Sequence, residues 1–276
     1  PNKPLHKLPP KPPPKLPSGS SDANGQGVSK TSPRINGLVA QRRQLTPDAD
    51  MVVLALVGLP ARGKSFISKK LERYLCWRGE AVCIFNVGER RRKNQSPEGM
   101  HDASFFAASN LQTRESIAHA VLLEMVEWLQ QPLNSKISSR VAIFDATNSR
   151  VSRRKSVTES LAQLLPNAKV VFLESICDMP QTIERNLLQK VRNSPDYKHL
   201  SEEEALRDLK LRVVEYEAQY ESLSPEEGLS YIKMFNLSSQ LHLNHIYGRA
   251  AKSLVPYVMS IHIGKRPIFL VRAAHV

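Results

Sequence analysis

The sequence predicts a three-layer α/β fold in which a mainly parallel sheet is flanked by helices. Short apolar segments rich in β-branched residues, each typical of a buried strand, alternate with longer segments of helical periodicity. A glycine-rich loop directly follows the first of these strands. The predicted strands are MVVLALV (51–57), AVCIFN (81–86), VAIFD (141–145) and KVVFLES (169–175).

The loop after the first strand has the spacing G-x-x-x-x-G-K-S, with Gly58, Gly63, Lys64 and Ser65 at the fixed positions. Such a loop wraps phosphate with backbone N–H groups, and the following helix adds the positive end of its dipole. Lys64 would bridge the β- and γ-phosphates of ATP, and the Ser65 hydroxyl would bind Mg²⁺. Chance glycines in an ordinary turn are the alternative. Because strand, loop and helix occur in the required order, we predict a P-loop NTPase-type fold.

Two later strands end in residues suited to the same site. The second strand is followed by four basic residues, 90–93, and ligands bind at this edge of an open parallel sheet. A solvated loop is the alternative interpretation of that run, but its position beside the phosphate loop favours the site. The third strand ends in Asp145, as a Walker-B carboxylate that faces the magnesium requires. An aspartate can also end a strand as a turn residue, and the P-loop favours the functional role.

The helices are predicted from apolar periodicity and from capping residues. Ile67, Leu71 and Leu75 recur at helical spacing after the phosphate loop, and Gly79 then ends the helix. Further helices are predicted from about 110 to 130, from the basic run after 148 to before Pro166, from near Pro180 to 193, and over 201–223 with a Ser201–Glu204 capping box. Strands near 230–235 and at 267–271 would extend the sheet.

The N-terminal segment differs in composition from the rest. Residues 1–50 carry ten of the 19 prolines, and five Lys and three Arg against three Asp give them +5 of the net charge of +13. Such a segment cannot bury enough apolar surface to fold. We expect residues 1–48 to be a disordered, solvated Pro/Lys/Ser-rich tail. An SH3-type ligand, and hence a protein partner on this tail, is the alternative.

Composition also limits the class of protein. The three cysteines, Cys76, Cys83 and Cys177, lack the spacing of a disulfide framework or a zinc site. No run of about 18 apolar residues occurs, and no signal-peptide core is present. We therefore expect a cytoplasmic protein with no membrane partner. A nucleic-acid partner would suit the net charge, but the basic residues lie at strand ends and in the tail, without interleaved aromatics.

Six motifs carry a family resemblance. They are GLPARGKS, FNVGERRR, FDATNSRVSRR, ESIC, NSPDY and RVVEYEAQY, in this order. Together they closely resemble the kinase half of the 6-phosphofructo-2-kinase/fructose-2,6-bisphosphatase family, from about residue 50 onward. The resemblance implies a kinase domain at 49–263 that transfers the γ-phosphoryl of ATP to the 2-hydroxyl of fructose 6-phosphate. The product would be fructose 2,6-bisphosphate, a regulator of glycolysis and gluconeogenesis.

The resemblance also implies a role for each residue that matches a motif position. The catalytic positions are Lys64, Asp145 and Cys177, and Cys177 is expected to support the pocket rather than act as a nucleophile. Magnesium would be held by Ser65 and Asp145. The ATP-binding positions are Gly58, Leu59, Pro60, Ala61, Arg62, Gly63, Lys64, Ser65, Asn186 and Gln189. The positions for fructose 6-phosphate are Arg91, Arg114, Thr147, Arg153, Arg212 and Tyr216.

The chain departs from the family pattern in three places. Val191 stands where the family has a lysine that touches both substrates, with Lys190 before it and Arg192 after it. Arg90 replaces the tyrosine that precedes the family's arginine pair. Residues 264–276 resemble the start of a lost or degenerate phosphatase half, in which Ala273 and Ala274 replace the catalytic histidine and glycine of R-H-G-E. We expect no phosphatase activity.

Val191 leaves a second function open at this point. A catalytically weak P-loop relative could sense nucleotide or sugar phosphate through a partner on the tail. Binding of both ligands without turnover would distinguish this sensor from a kinase. The sequence leaves the oligomeric state open, a homodimer included.

Overall fold

The computed structural model describes residues 51–94, 103–106, 110–132, 139–237 and 240–261. In these ranges the strands are β1 (Met51–Val57), β2 (Ala81–Asn86), β3 (Arg140–Asp145), β4 (Lys169–Ile176), β5 (Tyr231–Phe235) and β6 (Gln240–Asn244). The helices are α1 (Lys64–Trp77), α2 (Val87–Asn94), α3 (Leu111–Gln130), α4 (Val151–Leu164), α5 (Pro180–Asn193), α6 (Glu202–Glu217) and α7 (Arg249–Ser260). Among them, no helix is both long enough and apolar enough to cross a membrane.

The strands form one six-stranded sheet in the described ranges, in the order β2-β3-β1-β4-β5-β6. Every pair is parallel except β5 with β6. The chain passes from β1 to β2 and β3 on one side and then crosses to β4 on the other. The carboxyl end of β1 therefore lies at the topological switch point, where open α/β sheets bind ligands.

Alternation along β1 explains why helices cover both faces of the sheet. Leu54 and Leu56 pack with Ile67 of α1 and Leu254 of α7 on one face. Val53, Ala55 and Val57 face the other side and pack with residues of α3 and α4. All of β1 after Met51 is buried, as expected for a central parallel strand. The three predicted layers are thus observed.

Most predicted elements are confirmed, with bounds shifted by a residue or two. Gly79 follows α1 with a φ of 88°, and the Ser201–Glu204 capping box opens α6. The structure corrects one expectation, because α6 ends at Glu217, well before residue 223. The basic run after β2 lies in a helix, α2, that was not predicted.

Several expectations concern residues outside the described ranges. The disordered tail at 1–48, the strand at 267–271 and the phosphatase remnant at 264–276 therefore stay predictions. The edge strand β6 and the helix α7 were not predicted at all. Both are short, and their apolar residues are interrupted by polar ones.

Candidate active site

The phosphate loop joins β1 to α1 and takes a shape that requires glycine. Gly58 has a φ of 137°, and a Cβ there would lie 2.7 Å from the carbonyl oxygen of Ser175. Its N–H donates to the carbonyl of Thr147 over 2.9 Å. Gly63, with a φ of 86°, stands just before α1 and supplies no side-chain cap. The first N–H groups of α1 can therefore serve an anion, as in a phosphate site.

Lys64 is folded back onto its own loop. Its ammonium donates to the carbonyl oxygens of Gly58 and Leu59 over 2.7 and 2.5 Å. Burial, with a further contribution from the positive charge of Lys190, lowers the pKa of Lys64 to about 7. An anionic ligand beside this ammonium would favour its charged form.

Asp145 lies within hydrogen-bonding distance of the phosphate loop. It is only 5% exposed, and its Oδ2 accepts hydrogen bonds from the Ser65 hydroxyl over 2.9 Å and from the Asn86 amide over 2.7 Å. A hydroxyl and a carboxylate are hard oxygen ligands, and Mg²⁺ in kinase sites uses one or two carboxylates together with substrate phosphates. The residues present therefore fit a magnesium–nucleotide complex.

A cavity of about 850 Å³ opens at this edge of the sheet. Ten basic and four acidic side chains from the described ranges line it. Such an excess of positive charge in a concave site favours anionic ligands. The volume is suited to small-molecule substrates.

All six residues predicted to bind the sugar phosphate line this cavity. They are Arg91, Arg114, Thr147, Arg153, Arg212 and Tyr216. They come from different elements, since α2, α3, α4 and α6 each contribute one arginine and Thr147 follows β3. The structure therefore brings together residues that are up to 125 positions apart in the sequence.

The arginines are held by few acidic partners. Arg91 donates to Oδ2 of Asp196 over 2.5 Å, and Arg212 approaches the same oxygen at 3.5 Å. The guanidinium groups of both arginines also lie over the ring of Phe106, at 5.0 and 3.8 Å. Their Nε atoms are buried and have no hydrogen-bond partner among the described residues. Unpaired buried donors on cationic side chains indicate a place for an anion.

Lys190 lines the cavity, and its neighbour Val191 does not. Val191 is 6% exposed and packs with Leu187 and Ala205 between α5 and α6. Among the described residues, the Lys190 ammonium forms no hydrogen bond or ion pair. Burial, and next the charge of Arg212, lowers its pKa to about 8, while Asp145 and Asp196 act in the opposite direction. A lysine therefore lines the cavity near both Asp145 and Asp196.

The remaining nucleotide positions divide into two groups. Residues 60, 61, 63, 64 and 65 line the cavity, as do Asn186 and Gln189. Gly58 and Leu59 do not line it, and their carbonyl oxygens accept hydrogen bonds from the Lys64 ammonium. Arg62 points away from the cavity, since its guanidinium pairs with Glu217 at the end of α6 over 3.3 Å. Arg62 thus anchors the loop rather than lining the cavity.

Cys177 is not among the described residues that line the cavity, and its expected supporting role stays a prediction. The strand β4 ends one residue earlier, where the carbonyl of Ile176 accepts from the N–H of Asn236 over 2.8 Å. Asn236 also pairs with Asp178 over 2.7 Å. These bonds hold the segment after β4 against the end of β5.

Three residues of the site were not singled out from the sequence. Asp196 holds two arginines, Asn86 holds Asp145, and Phe106 packs against Arg212. Asp196 stands in the quoted motif NSPDY and Asn86 in FNVGERRR, so the signal was present without a role attached to it. Phe106 lies in a 3-10 turn (Ala103–Phe106) that no motif marks.

Comparison with known proteins agrees with this site. Residues 41–265 match the family described as 6-phosphofructo-2-kinase. A 6-phosphofructo-2-kinase/fructose-2,6-bisphosphatase of Caenorhabditis elegans is 38% identical over 229 residues, which are 80% of this chain and 49% of that protein. A protein of the same name from Aquarana catesbeiana is 38% identical over 234 residues, 83% of this chain and 47% of that protein.

A yeast relative is longer still. The 6-phosphofructo-2-kinase 1 of Saccharomyces cerevisiae is 35% identical over 257 residues, 91% of this chain and 30% of that protein. The chain thus spans about half or less of the length of these three relatives. Because the family match covers most of the chain and ends beyond α7, it includes every element of the site. The chain belongs to the 6-phosphofructo-2-kinase family.

Proposed function

We propose that this protein transfers the γ-phosphoryl group of ATP to the 2-hydroxyl of fructose 6-phosphate. The observation that carries the proposal is one cavity in which a phosphate loop with Lys64 and Ser65 faces arginines from four helices. The loop suits the nucleotide phosphates, and the arginine cluster suits the phosphate of the sugar. The family membership and the names of the relatives support the same pair of substrates.

In the proposed reaction the 2-hydroxyl oxygen bonds to the γ-phosphorus as the bond from that phosphorus to the β–γ bridging oxygen breaks. The hydroxyl proton is released, and ADP leaves. Bound Mg²⁺ would neutralise developing negative charge on the phosphates. Lys64 and Lys190 would stabilise the same charge, and the arginines would fix the sugar phosphate in line. Asp145 would hold the metal with Ser65.

The sensor alternative depended on the absence of a lysine at position 191. The half-buried Lys190 lines the cavity from the preceding position of α5. No observation on the described residues therefore favours a site that binds without turnover. We retain the kinase as the proposed function.

A coupled assay of ADP release tests the proposal. The protein is incubated with Mg·ATP, with and without fructose 6-phosphate, beside the variant Lys64→Met. We expect ADP only when the sugar phosphate is present, and no ADP from the variant. Sugar-independent ADP release, or no turnover by folded wild-type protein, would contradict the kinase.

A further inference from the structure

Asn86 connects the two halves of the candidate site. It is the last residue of β2, and the register of the sheet pairs it with Asp145 at the end of β3. Its amide Nδ2 donates to Asp145 Oδ2 over 2.7 Å. Its Oδ1 accepts the backbone N–H of Glu89 over 2.8 Å, as an N-cap side chain does at the first turn of a helix. The Asn86 side chain therefore forms hydrogen bonds both to Asp145, beside the phosphate loop, and to the first turn of α2.

The helix that Asn86 caps carries Arg91, one of the four arginines of the sugar-phosphate side. Arg91 is 4% exposed and bonds to Asp196, so α2 is held at its N-terminus and near its middle. Gly88 leaves room for the Asn86 side chain, because a Cβ there would lie 3.2 Å from Asn86 Oδ1. A shift of that side chain would break its bond to the Glu89 N–H in the first turn of α2.

A continuous series of hydrogen bonds links the phosphate loop to the first turn of α2. The Ser65 hydroxyl bonds to Asp145 over 2.9 Å, and Asp145 bonds to Asn86. Among the described residues, Asp145 Oδ2 receives both bonds and Oδ1 receives none. Ser65 and Asp145 are the residues that would hold a cation with its nucleotide, and Asn86 donates to the same oxygen of Asp145 as Ser65 does. A change at that oxygen would therefore reach α2 through Asn86.

We propose that Asn86 is a positioning residue that couples the binding of the two substrates by holding Asp145 and the N-terminus of α2 together. The inference rests on the proposed function, because it takes Mg·ATP and fructose 6-phosphate as the two ligands. Coupling of this kind is reciprocal, so each ligand raises the affinity for the other by the same factor. A residue that only stabilised the fold would not change that factor.

Two substitutions separate the roles of Asn86. Asn86→Ser keeps a small side chain that caps helices well, but it loses the amide that reaches Asp145. Asn86→Ala loses both the cap and the amide. Asn244→Ser is the matched control, because its amide also donates one bond, to the Leu229 carbonyl over 2.9 Å, at the far strand β6.

The test is calorimetric titration of fructose 6-phosphate into the protein under three conditions. The protein is alone, or it is saturated with AMP-PNP in the presence of EDTA, or it is saturated with Mg·AMP-PNP. For wild type and Asn244→Ser we expect Mg·AMP-PNP to lower the dissociation constant of the sugar phosphate by about fivefold or more. For Asn86→Ser we expect a folded protein whose thermal midpoint falls only by the lost bond to Asp145, and a coupling factor below about twofold. Asn86→Ala should lose the coupling and lower the midpoint further, because it also loses the cap.

Two results would overturn the inference. One is coupling in wild type that survives in Asn86→Ser, and the other is the absence of coupling in wild type that binds both ligands. If wild type binds fructose 6-phosphate under none of the three conditions, the result would instead count against the proposed function.

Discussion

Arg91 Nη2 donates to Asp196 Oδ2 over 2.5 Å, and the two side chains are only 5% and 3% exposed. Arg92 and Arg212 approach the same carboxylate at 3.8 and 3.5 Å. Burial is the main cause that lowers the pKa of Arg91, followed by repulsion from Arg212, whereas Asp196 raises it. One carboxylate thus opposes three guanidinium groups from α2 and α6, which leaves positive charge for an incoming phosphate.

Asp196→Asn should weaken binding of the sugar phosphate. The substitution keeps the shape of the side chain but removes the charge that holds Arg91 and Arg212 together. Because a hydrogen bond to a charged group contributes about 1.5–3 kcal/mol, we expect KM for fructose 6-phosphate to rise about tenfold or more. KM for ATP should change little. Steady-state kinetics measure both constants, and Asp178→Asn, an exposed carboxylate outside the cavity, is the control. An unchanged KM in folded protein would contradict the role of Asp196.

Lys190→Met should lower kcat, because the half-buried Lys190 lines the cavity near both Asp145 and Asp196. Loss of one preorganised electrostatic group in an active site costs about a hundredfold in kcat. Arg192→Met is the matched control two positions away, since Arg192 is exposed and pairs with Glu202 over 2.7 Å. We expect the control to retain activity within about twofold, as is usual for an exposed ion pair. Equal effects of the two substitutions would show that Lys190 has no special role.

Binding of the sugar phosphate should take up protons near pH 8. The pKa of Lys190 is lowered from 10.5 to about 8, so much of this amine is neutral at that pH in the free protein. A phosphate dianion favours the charged form and raises the pKa again, so binding protonates the amine. The affinity for the sugar phosphate should therefore fall as the pH rises above about 8.

Calorimetry in two buffers of different ionisation enthalpy measures this uptake. Wild type should take up about half a proton more at pH 8 than Lys190→Met, and the difference should vanish at pH 6. The lowered pKa of Lys190 also makes the free energy of unfolding depend on pH. Because the unfolded chain binds more protons between the two pKa values, Lys190 should make the free protein more stable as pH rises from about 8 to 10.5. No difference between the proteins at pH 8 would contradict the lowered pKa.

Arg154 should be essential for stability rather than for catalysis. Its side chain is 0% exposed, and its guanidinium bonds to both carboxylate oxygens of Glu227 over 2.7 Å and to the carbonyl of Glu221 over 2.8 Å. Arg154→Met leaves Glu227 without its partner, and breaking a buried pair in this way costs about 3–5 kcal/mol. Urea denaturation measures the loss. Lys155→Met, at an exposed position beside it, should cost less than about 0.5 kcal/mol.

The sequence was sufficient for the phosphate loop and for the central strands. The spacing from Gly58 to Ser65 and the apolar run of β1 are local signals, and both correspond to the structure. The edge strand β6 carries no such run, because its residues are largely exposed and its place depends on pairing with β5. Local pattern cannot reveal a strand that is fixed by a distant partner.

Side-chain direction explains the other differences. The sequence places Lys190 and Val191 next to each other, and only the packing of α5 on α6 decides which of them faces the cavity. Arg62 is part of the phosphate loop, yet a partner 155 positions away turns it outward. The arginines of the sugar-phosphate side were identified by the family resemblance, whereas Asp196, which holds two of them, was not. The pairing of these charges is a property of the folded chain.

The central claim is that the phosphoryl group is transferred to the 2-hydroxyl of fructose 6-phosphate. The most direct measurement is identification of the product formed from fructose 6-phosphate, isotopically labelled at C2, and Mg·ATP. We predict a fructose bisphosphate in which the new phosphorus couples to the labelled carbon in the NMR spectrum. Mild acid should release fructose 6-phosphate from this product. The variant Lys64→Met should not form it. A new phosphate on any other carbon, or an unchanged sugar phosphate with folded wild-type protein, would contradict the account.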